Sequence, residues 1–115
     1  MWQKSRELVK DIYLITKTYS KEETFGLSLQ MRRSAISVIS NISEGIGRTQ
    51  TKETIHFPSI AKGSSFELDT QLTVSLDLNY IETATYQRVS SLISECIRLI
   101  QGFSNYCKKK INKTK

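Results

Sequence analysis

The stretch from Gln30 to Arg48, QMRRSAISVISNISEGIGR, constrains the fold more than any other part of the chain. Turned at about 100° per residue, it separates into two stripes. Ala35, Val38, Ile39, Ile42 and Ile46 fall on one side, the pattern of a core-facing helix. Opposite them run Gln30, Arg33, Ser37, Asn41, Glu44 and Arg48, in steps of 3, 4, 4, 3 and 4 residues. An ordinary solvated face carries more Lys and Glu and less Asn and Ser. Gly45 and Gly47 close the stretch and read as helix-stop residues.

Three further helices are predicted, and no period-2 stretch competes with them. The first runs from about Trp2 to Tyr19 on Leu8, Ile12, Ile15 and Tyr19. Ser20 with Glu23 reads as a capping box, and Gly26 defers the regular part of helix two to Leu27. Thr49 or Thr51 is the expected N-cap of helix three, which reaches to about Asn79. Its predicted core face is Phe57, Ile60, Ala61, Ser64, Leu68, Leu72 and Ser75. Pro58 either kinks that helix or marks its start, since an interior proline costs roughly 3 kcal/mol. Thr83 is the expected cap of helix four, whose Val89, Leu92, Ile93, Cys96, Leu99, Ile100, Phe103 and Tyr106 lie close to a heptad seam through Cys107. Long helices joined by short turns predict an all-α fold, an antiparallel up-down-up-down four-helix bundle over residues 1–107. Residues 108–115 read as a basic, frayed tail.

The net charge of +6 is concentrated in that tail. Residues 108–115 hold five Lys and no acid, whereas the remaining 107 residues hold 12 basic and 11 acidic side chains. Within the body, residues 28–52 are basic and residues 53–95 acidic, which is complementary within one chain or between subunits. No apolar run approaches the roughly 20 residues of a membrane span. The charged start, MWQKSRELVKD, has no apolar core of a secretory signal, so the expected location is cytoplasmic.

No residue set dictates a reaction. Cys96, Cys107 and the single His56 lack zinc spacing, and Glu44 and Glu67 have likelier partners in arginine than in each other. No catalytic residue, metal or cofactor is predicted. Arg33, Asn41 and Glu44, with Glu67 and Gln71 from helix three, fit a register-setting polar network, the competing use of that face being phosphate contact. Arg32, Arg48, Lys52, Lys108, Lys109 and Lys110 are the candidates for meeting RNA or DNA through sequence-independent, salt-sensitive contacts. Leu29 and Ile36 widen the apolar arc of helix two, and Ile55 and Phe66 lie opposite the core stripe of helix three. These four are candidates for a homo-oligomer interface, the plainer reading being scattered surface hydrophobes.

WQKSRELV, SLQMRRSA, SNISEG and AKGSSFELDTQL resemble the four-helix-bundle proteins named for the 23S rRNA intervening sequence, over most of residues 2–100. The accessory protein of diversity-generating retroelements is a more distant likeness. The resemblance implies a bundle assembled as a ring, typically a pentamer, with a basic surface suited to nucleic acid. Arg33, Asn41, Glu44, Gly45, Gly63, Glu67 and Gln71 match the family pattern, while Pro58 replaces a usual apolar helix former. The family name records a gene location and specifies no reaction. Two functions are therefore expected: non-enzymatic nucleic-acid binding, or an adaptor role with a protein partner.

Overall fold

The computed structural model describes residues 1–113 and contains four helices: α1 (Trp2–Thr16), α2 (Leu27–Gly47), α3 (His56–Asp77) and α4 (Thr83–Lys113). α2 buries Ser28, Met31, Ala35, Val38, Ile42 and Gly45, a ladder of alternating three- and four-residue steps. α3 repeats the rhythm with Pro58, Ala61, Ser65, Leu68, Leu72 and Ser75. Two such ladders interlock as in a coiled coil. Ser37 Oγ meets Ser64 Oγ at 2.7 Å, and Ser75 Oγ lies 3.4 Å from Met31 Sδ, so the two helices run in opposite senses. α4 opposes α3 through Lys62–Gln101 and Thr73–Tyr86, and opposes α1 through Lys4–Glu95 and Asp11–Arg88. Each helix thus packs antiparallel to its neighbours, and the circuit closes into the expected four-helix bundle. Leu8 and Ile12 of α1 and Val89, Ile93 and Ile100 of α4 complete the core. No helix among the described residues is long and apolar enough to cross a membrane.

Local chemistry decides the helix ends. α1 stops at Thr16, three residues before the expected Tyr19, because the Thr18 amide and hydroxyl both turn back to the Ile15 carbonyl. Ser20 accepts from the Glu22 amide and caps the short 3-10 turn Lys21–Glu23, so the capping box is not formed. α2 begins at Leu27 as expected. α3 begins at His56, which puts Pro58 in its first turn, where a missing N–H has no intrahelical acceptor to lose. Of the two roles open to Pro58, it takes the starting one. Neither Thr49 nor Thr51 caps α3; the N-cap position is Ile55, without a side-chain bond. α3 ends in a Schellman turn, with Asn79 at φ 61°, its amide on Leu76 and the Tyr80 amide on Ser75.

Three expectations about burial are corrected. Ile46 was placed in the core stripe and is 53% exposed. The Arg32–Thr16 bond sets the α1–α2 register, and by it Ile46 is level with Trp2, the first residue of α1, so that helix only just reaches it. Ile60 is 44% exposed, and Phe57 and Ser64 are only half-buried, because the buried ladder of α3 passes through Pro58 and Ser65 instead. Tyr106, expected on the helix-four seam, is 55% exposed; the lysine stretch beyond it is helical as α4 continues to Lys113. Its inner face is prolonged there by buried Cys107 and half-buried Ile111, and Lys110 and Lys113 favour the negative end of the helix dipole. Thr114 and Lys115, the end of the expected tail, lie outside the described residues.

Gly45 does not stop α2; it opens a notch between helices. A Cβ there would lie 3.1 Å from Phe103 Cε2 and 3.6 Å from both Phe57 Cβ and Pro58 Cδ. Alanine gains about 1 kcal/mol of helix propensity and must displace the half-buried Phe103 ring by a few tenths of an ångström. Gly45→Ala is therefore expected to leave stability within about 1 kcal/mol of the parent. Gly45→Val, with two more methyls in the same notch, should lose about 1–3 kcal/mol. Urea unfolding of both variants measures the difference, and an unharmed valine variant would mean that the notch is open.

Candidate functional site

Gly45 against Phe103 also sets the level at which α2 ends beside α4. Beyond it, α4 continues for ten residues, or about 15 Å at the helical rise. The same end of the bundle carries the connection from α2 to α3. Gln50 Nε2 donates to the carbonyls of Gly45 and Arg48, at 3.0 and 3.1 Å, which ties the chain back onto the end of α2. The Thr51 amide donates to Thr54 Oγ1 at 2.9 Å, and His56 Nδ1 bonds the Glu53 carbonyl. The connection is therefore a hydrogen-bonded turn, and it carries Arg48 and Lys52 at the same end of the bundle as the last turns of α4.

Five of the six expected basic residues lie at this end of the bundle. Arg48 binds Glu44 from Nε and from NH2, both at 3.1 Å, and its guanidinium lies 5.2 Å from the Phe57 ring centre. Lys110 donates to the Tyr106 hydroxyl at 3.3 Å. Lys52, Lys108 and Lys109 are exposed, and among the described residues none of them forms an ion pair. Lys108, Lys109 and Lys110 point in three directions around α4 and leave its fourth side to Cys107. The acids at this end are Glu44, engaged by Arg48, and Glu53, whose carboxyl is held below its usual range by its own amide and the Thr51 hydroxyl.

Arg32 does not join them. It sits sixteen positions before Arg48 on α2, a separation of about 24 Å, and is half-buried against α1. Its Nε donates to Thr16 Oγ1 at 2.9 Å, and its guanidinium stacks 4.6 Å from the Tyr13 ring centre. Position along α2 alone does not say which helix lies beside Arg32, and the packing of α1 against it removes Arg32 from the expected set.

The five-residue polar network does not form as a unit. Among the described residues no hydrogen bond or ion pair joins Arg33, Asn41 or Glu44 to Glu67 or Gln71. Glu67 and Gln71 meet each other at 3.4 Å within α3, and Glu44 turns to Arg48 within α2. What crosses between these helices is Ser75 to Met31 and Ser37 to Ser64, the latter supported by Asn41 Nδ2 through the Ser37 carbonyl at 2.8 Å. Long side chains reach along their own helix to i+4 neighbours, while the small serines allow the close approach. Ion pairs between helices occur instead between α1 and α4, through Lys4–Glu95 and Asp11–Arg88.

The four oligomer candidates divide between two faces. Leu29 and the 42% exposed Ile36 line a groove of about 450 Å³ between α1 and α2, with Tyr13 and Arg33. Phe66, 51% exposed, lies on the outer side of α3 with Ile60 and Val74. Ile55 is half-buried at the start of α3.

Nothing in the described residues clusters His, Cys, Asp and Glu as a metal site would. Cys96 is buried and its thiol is pushed up to about 11, chiefly by burial. Cys107 is also buried, with its pKa raised by the same cause. Neither thiol should be alkylated by iodoacetamide at neutral pH until the protein unfolds, which mass spectrometry with and without denaturant will read. In the unfolded chain Cys96 loses its proton near its ordinary 9.0, before the folded one does near 11. Its contribution to stability is thus complete below pH 9 and falls as the pH rises toward 11.

The model of the 23S rRNA-intervening sequence protein family matches residues 1–102. The chain belongs to that family. The match ends within α4, so most of the lysine-bearing end of that helix lies outside the matched span of this intervening-sequence family member. No curated protein matches the chain.

Proposed function

We propose that this intervening-sequence family member is a non-enzymatic, oligomeric, cytoplasmic protein that binds RNA or DNA through backbone electrostatics. One observation carries the reading: Arg48, Lys52, Lys108, Lys109 and Lys110 share one end of the bundle, on a turn and on α4, with Glu44 and Glu53 as the acids beside them among the described residues. Cations dispersed over that end suit phosphates in any sequence, and the rings beside them, Phe57 and the exposed Tyr106, lie under Arg48 and Lys110. Assembly is supported by the separation of Leu29 and Ile36 from Phe66. Two different apolar faces on one chain suit the heterologous contact of a closed ring, which is the assembly the family likeness implies.

Binding of a mixed single-stranded RNA pool across a salt series tests the function. About five phosphate contacts should give a slope of log affinity against log salt near −3.5. No binding at low salt, or binding that ignores salt, would overturn it and leave the adaptor role with a protein partner. A solution mass equal to one chain would defeat the ring.

A further inference from the structure

The far end of the bundle holds a second basic feature, a half-enclosed recess of about 240 Å³ between the end of α1, the Lys21–Glu23 turn and the first turn of α2. Lys17, Lys21 and Arg32 line it, and no acidic residue does. The Arg32 guanidinium is half-buried, yet its acceptors, Thr16 Oγ1 and the Tyr13 carbonyl, are both neutral. Lys17 and Lys21 are exposed and form no ion pair among the described residues. Three cations thus share the lining of the recess, and the carboxylate at this end, Glu23, lies outside that lining with its Oε1 beside Gly26.

Neutral donors at the same place are also unclaimed. The hydroxyls of Thr16, Ser20 and Thr24 are engaged with backbone or Arg32, whereas that of Ser28 forms no hydrogen bond among the described residues. Ser28 lines the recess and is only 8% exposed. It belongs to the first turn of α2, which opens on Gly26 with no side-chain cap, so the amides of Leu27, Ser28 and Leu29 lack helical acceptors. An uncapped helix start favours anions through both its amides and its dipole.

We propose that this recess binds a phosphate monoester, carried either by a nucleotide or by the end of a nucleic-acid strand. Two negative charges match the cation excess better than the single charge of a phosphodiester or carboxylate. The planar guanidinium fork suits phosphate oxygens. The volume is below the roughly 300–1,000 Å³ of sites that enclose drug-sized ligands, which fits a terminal group rather than a whole cofactor. The site is separate from the lysine-bearing end and does not depend on it.

Inorganic phosphate, titrated into the intact protein, is expected to move the amide resonances of Ser28 and Leu29. An RNA strand with a 5′-phosphate is expected to bind about tenfold more tightly than the same strand with a 5′-hydroxyl, the effect of one to two added ionic contacts. Lys17→Gln with Lys21→Gln, both at exposed positions, should abolish the preference, as should Arg32→Gln. A nucleoside 5′-monophosphate that shifts the same resonances while the two strands bind alike identifies a free nucleotide as the source. A strand preference that the mononucleotide does not match identifies the strand end. Equal strand binding with no phosphate-induced shift overturns the proposal, and so does a preference that survives both sets of substitutions. Removing the lysines of α4 weakens both strands alike and leaves their ratio unchanged, so the two sites fail separately.

Discussion

Replacing Lys108, Lys109 and Lys110 with glutamine lowers affinity for single-stranded RNA by about a hundredfold near 0.1 M salt. The figure follows from counterion release: each lost phosphate contact removes about 0.7 from the slope, and three removed over one decade of salt amount to about two decades of affinity. The slope should flatten by about 2 units in the same measurement. Lysine and glutamine have similar helix propensity, so α4 should remain helical, and circular dichroism checks this directly. The contrast with Arg48 is informative. Its charge is shared with Glu44 through two contacts at 3.1 Å, so Arg48→Gln has the smaller effect and Glu44→Gln tightens binding. An unchanged slope in the triple-lysine variant would remove α4 from the mechanism and return the burden to Arg48 and Lys52.

The largest stability contrast is expected between two isoleucines one turn apart. Ile42→Ala should cost about 2–5 kcal/mol, because it removes three methylene or methyl groups from a closed core and leaves a cavity. Against a typical total of about 5–15 kcal/mol, that is enough to unfold a marginal domain. Ile46→Ala should stay within about 0.5 kcal/mol, since the side chain is half in water already. Denaturant midpoints of the two variants decide the matter. Equal losses would mean that α1 or a neighbouring subunit covers Ile46.

Those isoleucines also mark how far one-dimensional reading reaches. Ile42 and Ile46 are equivalent in type and fall on the same stripe of the wheel, yet only Ile42 is closed off. The difference comes from where α1 begins, a property of another segment's register. The same holds for the basic residues. Their identity was evident from composition, but Arg48 and Lys52 share one end of the bundle with Lys108 only through the antiparallel return of α4, some sixty residues later in the chain. Arg32 was grouped with them because the wheel does not say which helix lies at each flank. The recess at the far end was not anticipated, although Lys17, Lys21 and Arg32 are plain in the sequence. Its signal was the absence of any acid to pair with them, and that is visible only once α1, the turn and α2 are brought together.

Periodicity and turn chemistry determined the number of helices, the start of α2 at Leu27 and the short connection at Asn79, since these depend on neighbours within a few residues. The family motifs in Gln30–Arg48 and around Gly63 determined membership. Tertiary structure alone decided that Gly45 is a contact notch, that serines rather than charged side chains join α2 to α3, and that the lysine stretch is helical through Lys113. Each of these depends on which surface a second helix presents at a given level, and local sequence carries no record of that surface.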